Sequence, residues 1–462
     1  MKKIVFVLAI IIGIIPVLEA QNVSGKKVLK TAKKISSKGS TRDAVTYMTQ
    51  QNIDSTDKDA LKVFLQLGIY QSELLLLDSA KLSLEQAAKS VDIEILTQAN
   101  SLLETVAKQK EKYNFNMVLF KAYIRQQDWV TANMSSTECL KYDTGNYEVW
   151  FGLGEVAEHS KSVQEALELY QKASKKYIPT PAELAHVFEH IAEMYIIKNE
   201  YNQAIDAANQ AISADRFSYD AYLLRGKSFY NLQNYKEAES SLSIYLNHVT
   251  DNKDAWFLRG ESLFYQDRYS SAHRDYSAAL AIDEEMTEAR IMRAKSLYLT
   301  EQYNLASADF EYMRNMFEGN YFALNGLGLC AYQLEDYPKA VLNFEQVIGL
   351  VSQDYYKFNL AMAYYKNKQL NKALKYFDEL AQDHRFEPNY NVAKTWVLLE
   401  LKETSKALYW INESIKQNPY IKEYYAVRAK IYREMNEIKK AEKDERIAYT
   451  IEADPISFEL KF

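Results

Sequence analysis

The sequence predicts an all-α fold of about twelve stacked helix-turn-helix units, on three grounds. Glycine and proline are scarce, 13 and 7 in 462 residues, which favours helices over strands with their many turns. Within short segments apolar residues recur at spacings of three and four, giving one apolar stripe per helix. One alanine column runs through the chain as Ala44, Ala80, Ala132, Ala166, Ala204, Ala238, Ala272, Ala306, Ala340, Ala373, Ala407 and Ala441, mostly 34 residues apart. Such a period marks one supersecondary unit repeated, and no single unit can bury its stripe without a stacked neighbour.

Ahead of the repeats, "MKKIVFVLAIIIGIIPVLEAQ" places Lys2 and Lys3 before an apolar run from Ile4 to Ile15, then Pro16 and the small Ala20. That is the order of a secretory leader cut near Ala20, with a start of bacterial type. The run falls short of the roughly 20 apolar residues a spanning helix needs, and no cysteine stands at the junction to accept lipid. The mature chain is therefore expected outside the cytoplasm, in the periplasm or on the cell envelope. Net charge is −6, and −7 without Lys2, Lys3 and Glu19, so no basic field argues for nucleic acid. Cys139 and Cys330 fall on apolar helix faces and read as small buried hydrophobes, with no disulfide framework.

Three further columns share the register. A small residue twelve places before the alanine reads Gly68, Gly154, Ala192, Gly226, Gly260, Ala294, Gly328, Ala361 and Ala429. An aromatic three before it recurs as Trp129, Tyr201, Tyr235, Tyr269, Tyr303 and Tyr337, and a bulky residue four after it as Tyr170, Tyr276, Phe310, Phe344 and Phe377. Small residues on facing stripes let two helices approach closely while the aromatics fill the gaps around them. The triplets "QNY", "DRY", "EQY" and "EDY" mark the turn between the two halves of a unit.

These columns resemble the tetratricopeptide repeat (TPR), a helix-turn-helix unit of 34 residues, over roughly residues 25–453 and most specifically from about 147 onward. The resemblance implies a superhelical α-solenoid whose first helices line a concave groove. Two intervals depart from the period. Ala80 to Ala132 spans 52 residues and leaves an extra helical stretch around 91–110 that the pattern does not place. Ala166 to Ala204 spans 38, with the insertion at "YIPTPAE", where Pro179 and Pro181 cannot continue a helix. The expected organisation is a leader at 1–20, an N-terminal block at 25–180, a regular block at 185–453 and a tail at 454–462. The tail contains "ISFELKF", whose alternation reads as a short strand that caps the array or as a loose end.

Arg225, Arg259, Arg293 and Arg428 occupy one column where the family usually has an aliphatic residue, and sixteen residues later stand Ser241, Asp275, Asp309 and Asp444. Aspartate enters the second column only where arginine fills the first. That co-occurrence predicts ion pairs between the two helices of a unit, Arg259 with Asp275, Arg293 with Asp309 and Arg428 with Asp444, rather than an exposed anion ladder. Arg225, facing Ser241, has no obvious partner.

Catalytic signals are weak. "HVFEH" at 186–190 has the H-x-x-E-H order of one metalloprotease class, but it lies on a first helix with no third ligand in view. "GLGEVA" at 152–157 and "GLGLCA" at 326–331 fit G-x-G-x-x-A inside predicted helices, where a dinucleotide site needs a preceding strand. No catalytic residue, metal site or cofactor is assigned.

The remaining signal is the groove. Tyr230, Phe264, Tyr298, Tyr332 and Tyr365 recur eight residues before the alanine, and Leu223, Phe257, Ile291, Asn325 and Phe358 fifteen before it. Together they would line a partly hydroxyl-bearing apolar strip suited to a peptide or extended protein segment. The Lys/Asn/Arg clamp with which eukaryotic cochaperones of this family hold a carboxylate is not present on these faces. Lys26, Lys27, Lys30, Lys33, Lys34 and Lys38 offer a peripheral contact with an anionic membrane or partner, although a solvated first helix accounts for them more simply. The sequence thus reads as a non-catalytic scaffold or adaptor that binds a protein and supports an envelope assembly or secretion complex. The alternative is a surface glycan- or nutrient-binding protein with embedded repeats, which usually carries a lipobox cysteine and large insertions.

Overall fold

The structure, a computed structural model, describes residues 23–462 other than 39, 52, 54–56, 58, 177, 384–386, 453–459 and 461. The expected leader at 1–20 lies outside the described residues. Those residues form 24 α-helices in consecutive packed pairs, with no strand among them, and the chain divides into two compact bodies, Met1–Thr250 and Asp251–Phe462. The fold is an all-α solenoid of twelve helix pairs.

The first body holds α1 (Gly25–Ser36), α2 (Thr41–Thr49), α3 (Ala60–Glu73), α4 (Leu77–Ala87), α5 (Ile93–Arg125), α6 (Trp129–Leu140), α7 (Tyr147–His159), α8 (Val163–Ala173), α9 (Pro181–Ile197), α10 (Tyr201–Ala214), α11 (Tyr219–Asn231) and α12 (Tyr235–Leu246). The second holds α13 (Lys253–Phe264), α14 (Tyr269–Ile282), α15 (Thr287–Leu299), α16 (Tyr303–Met316), α17 (Tyr321–Gln333), α18 (Tyr337–Leu350), α19 (Asp354–Lys366), α20 (Leu370–Asp383), α21 (Pro388–Glu400), α22 (Thr404–Gln417), α23 (Lys422–Glu434) and α24 (Ile438–Thr450).

Each alanine of the column is the fourth residue of the second helix of its pair, and all twelve are 0% exposed. A methyl group is all the space that level of the pair leaves. One turn further along, Phe344 fills the gap opposite the small column so closely that a Cβ on Gly328 would lie 2.4 Å from its ring; Tyr276 meets Gly260 the same way at 2.7 Å. Contact below 3 Å is repulsive, so larger side chains in this column would force the helices apart.

The turn inside each pair is equally regular. In eleven pairs the second residue before the second helix has φ between 56° and 64°, and none of them is glycine: Leu75, Gln127, Lys161, Asn199, Gln233, Asp267, Glu301, Glu335, Lys368, Lys402 and Asn436. The next residue donates its N–H to the carbonyl five back, as Asn234 does to Phe229 and Gln302 to Leu297, both within 2.9 Å. This is the Schellman closure, usually built on glycine because a left-handed residue with a Cβ is strained. The triplets seen in the sequence begin on this residue.

The two irregular intervals resolve into helix length. The stretch around 91–110 is not an additional helix: it is the first half of α5, 33 residues long. Its Ile95, Ala99 and Val106 pack on Leu77, Ala80 and Leu84 of the preceding pair, and its Tyr113, Met117 and Phe120 pack on Ala132, Cys139 and Val149. Lys110, midway, bonds Asp78 at 2.8 Å and the buried Asp143 at 3.2 Å. In the other interval Pro181 occupies the first turn of α9, where a missing N–H costs nothing, behind a capping box between Thr180 and Glu183. In the second body Asn359 donates to Asn325 at 3.0 Å, both fully buried and 34 residues apart, a polar tie between α17 and α19.

Two measurements test these points. Glu301→Gly, which relieves the left-handed strain at an exposed site, should raise the unfolding free energy by about 1 kcal/mol in a denaturant titration; a loss of stability contradicts the turn geometry. Cys139 and Cys330 are both 0% exposed, and burial pushes their thiols up to about 12 and about 11. Neither should react with Ellman's reagent at pH 8 until the chain is denatured, whereupon two equivalents appear.

Candidate functional site

The arginine column binds helices together. Arg259 donates Nε to Asp275 Oδ2 at 2.7 Å and Nη2 to Oδ1 at 2.8 Å; Arg293 does the same to Asp309 at 2.8 and 2.6 Å, and Arg428 to Asp444 at 2.6 and 2.8 Å. All three carboxylates are at most 5% exposed. These are bidentate pairs between the two helices of a repeat. The same guanidinium also reaches back sixteen residues to the previous repeat: Arg428 Nη1 donates to Asn412 at 2.8 Å, and Arg293 Nη1 to Ser277 at 3.4 Å. The expectation that Arg225 has no partner is corrected on the same rule. Its Nε donates to Ser241 Oγ and its Nη1 to Asn209 Oδ1, both at 3.1 Å. Arg428 is held above the usual guanidinium value, chiefly by its bond to Asp444.

A fifth member escaped the sequence reading. Lys394, thirteen residues before Ala407, stands in the same column and is 3% exposed. Its ammonium bonds Asp378, sixteen back, at 2.8 Å, and lies 3.2 Å from the ring centroid of Trp410, sixteen ahead. Burial pushes its pKa below the ordinary lysine value. The spacing alone would have found it, had lysine been searched beside arginine.

The histidine motif does not assemble as its order suggests. His186 Nδ1 is engaged with Glu189 Oε2 at 3.1 Å, and that bond raises the imidazole pKa. His190 instead points at α7, its Nδ1 3.6 Å from Glu158 Oε2 and 3.9 Å from Glu193 Oε2. The atoms that could gather around a cation therefore belong to Glu158, His190 and Glu193, which lie within 4.8 Å of one another. Tyr170 already donates to Glu158 at 2.7 Å. The two glycine pairs of the G-x-G-x-x-A runs lie inside α7 and α17, with no strand before them.

On the first helices of the second body the two rows behave differently. Phe264, Tyr298 and Tyr332 each set a ring edge-to-face on the first residue of the following helix, Tyr269, Tyr303 and Tyr337, at centroid separations of 5.1, 5.4 and 5.6 Å, and stay half-buried. Tyr365 donates to Glu400 at 2.8 Å and is also half-buried. The other row goes inward. Phe358 is 4% exposed between Phe377 and Tyr390, Asn325 is fully buried, Phe257 packs on Tyr276, and Ile291 is partly covered. In the first body Leu223 is 9% exposed, while Tyr230 rests on Tyr235 at 5.8 Å. Leu223 and Phe358 thus support the face rather than line it, because their level of the helix is covered by neighbouring helices.

What the face does present is a depression of about 400 Å³ lined by Tyr332, Met362, Tyr365, Lys366, Trp396 and Lys430. Met362, Trp396 and Lys430 form one column at intervals of 34, three residues before the level of the tyrosines and so on the same side of their helices. Their mixed chemistry hid them from a search for repeated aromatics. Lys26, Lys27, Lys30, Lys33 and Lys34 of α1, and Lys38 just past its end, all face solvent.

Consecutive helix pairs, eleven of them closed by the same left-handed turn and all packed around one alanine column, define a repeat solenoid. The tetratricopeptide repeat family model matches residues 118–178 and 198–255, so the chain contains tetratricopeptide repeats there, and the same columns continue on both sides. No curated protein matches it. Among solved structures it is similar to YrrB, a TPR protein with an unusual peptide-binding site, at 22% identity over 36% of this chain and 86% of that one, with a TM-score of 0.35. It is also similar to the C-terminal part of a TPR protein from Cytophaga hutchinsonii (14% identity, 54% and 99% of the chains, TM-score 0.43). A third is the Cut9–Hcn1 hetero-tetramer of the APC/C (12%, 94% and 94%, 0.38).

The ion-pair column is open to a double-mutant cycle. Asp275→Leu alone removes the bidentate partner of the guanidinium, and Arg259→Leu alone strands a buried carboxylate at about 3 kcal/mol or more. The double variant should be clearly more stable than either single one in thermal unfolding; equal damage in all three contradicts a dominant pair.

Proposed function

We propose that the chain is a non-catalytic scaffold that holds an extended segment of a partner protein on the first-helix face of its second body. The observation that carries this is the depression between Tyr332 and Lys430. Tyr332, Met362, Tyr365 and Trp396 give it an apolar floor for anchoring side chains, and Lys366 and Lys430 add two ammonium groups. A segment with an apolar anchor beside an acidic residue fits that chemistry. The fold adds support, since tetratricopeptide repeats are generally non-catalytic interaction scaffolds. Its site of action is proposed from the leader-like start, outside the cytoplasm, where such a scaffold would hold together an envelope or secretion assembly.

The test is a photo-crosslinking residue in place of Tyr332, activated in intact cells. Covalent adducts with a protein are expected, and Lys366→Glu with Lys430→Glu should reduce their yield about tenfold or more. Recovery of glycans without protein would replace this reading by the surface glycan-binding one.

A further inference from the structure

Part of the first-helix face is already occupied, and by the chain itself. Leu460 is 7% exposed and packs into the cluster that contains Leu329, Ala363, Tyr332 and Tyr365. Phe462 sets its ring edge-to-face on Tyr298 at 4.9 Å and 82°, lies 5.8 Å from Phe310, and stacks on Phe322 at 6.1 Å and 29°. It thereby seats between α15 and α17, against one of the tyrosines that the repeat pattern assigned to the groove. Residues two apart share a side only in an extended chain, and Leu460 and Phe462 both pack into this face. The sequence carries the same alternation further back, as Ile456, Phe458, Leu460 and Phe462.

From this contact we infer that the face recognises extended segments presenting apolar, preferably aromatic, side chains at every second position, and that the stretch ending in Leu460 and Phe462 is a resident competitor for it. The inference builds on the proposed partner groove and gives that partner its pattern. Among the described residues, Leu460 and Phe462 seat at Tyr298, Phe322 and Tyr332, and the face continues beyond them to Trp396 and Lys430. A partner that binds this face must therefore displace the resident segment. A tethered segment acts at an effective concentration on the order of 1 mM, so against an intrinsic affinity of about 0.1 mM it weakens any outside ligand roughly tenfold.

The test uses the full chain and, as probe, a fluorescein-labelled peptide of residues 455–462. Fluorescence anisotropy should show about tenfold tighter binding to the Leu460→Ser, Phe462→Ser double variant than to the unaltered chain. Both substitutions lie beyond the last described helix, and an unchanged far-UV circular dichroism spectrum and thermal midpoint show that the repeats keep their packing. The same peptide with benzophenone replacing its last phenylalanine should attach to the double variant within 291–322. Equal affinity for the two chains, attachment outside that range, equal binding of a scrambled peptide, or no binding to either chain each overturns the self-occupancy. Crosslinking at position 332 judges the partner groove separately: protein adducts there with no peptide binding sink only the present inference, and the loss of both sinks the groove.

Discussion

The close approach of the two helices in each pair is the constraint on which everything else depends. At the alanine level only a methyl fits, and one turn along the glycines of the small column face a buried aromatic or leucine. Dispersion between surfaces that close falls off within an ångström, so a single oversized side chain would cost contacts along the whole pair. With the pair fixed, the angle and level of every other side chain follow. That is why the arginines, the edge-to-face tyrosines and the column of Met362, Trp396 and Lys430 all return at the same interval.

The arginines do something the close packing alone does not. Apolar contact between repeats is tolerant of sliding, whereas a guanidinium shared between a carboxylate ahead and an amide or hydroxyl behind has one geometry. It joins three helices at one point and so strengthens the interface between repeats as well as the repeat itself. Lys394 reaches the same end with an ion pair behind and an aromatic face ahead. Where arginine is absent from the column, aliphatic residues such as Leu327 and Leu360 fill the place and the interface rests on packing.

How much of this the sequence shows depends on what kind of information a repeat contains. The twelve pairs were legible because a period repeated twelve times averages out local ambiguity. The turn residues were legible only as markers; nothing in "DRY" or "EQY" announces a left-handed Asp267 or Glu301 without glycine. The forward partners of the arginines emerged from co-occurrence, while Asn209 and Asn412 did not, since they sit in the preceding repeat. The groove was half legible. Phe358 and Tyr365 are seven residues apart and point nearly the same way around the helix, yet Tyr390 of the next repeat covers one and leaves the other. A helical wheel gives direction but no depth. The contact of Phe462 with Tyr298 was out of reach, because a segment outside the period has no column to align with.

The long α5 has an implication for how such a chain can lengthen. Its repeat is 18 residues longer than the period, and at 3.6 residues per turn that is five whole turns. Growth by whole turns leaves the stripe facing the same neighbours, so the added segment finds apolar partners in the preceding pair and the following pair meets its own in register. An insertion of sixteen or twenty residues would rotate the second half of the helix by about 160°, nearly half a turn, and present its polar side to the core. Insertions in a solenoid of this kind are thus quantised, and the phase of the helix, more than the space around it, decides which lengths a lineage can keep.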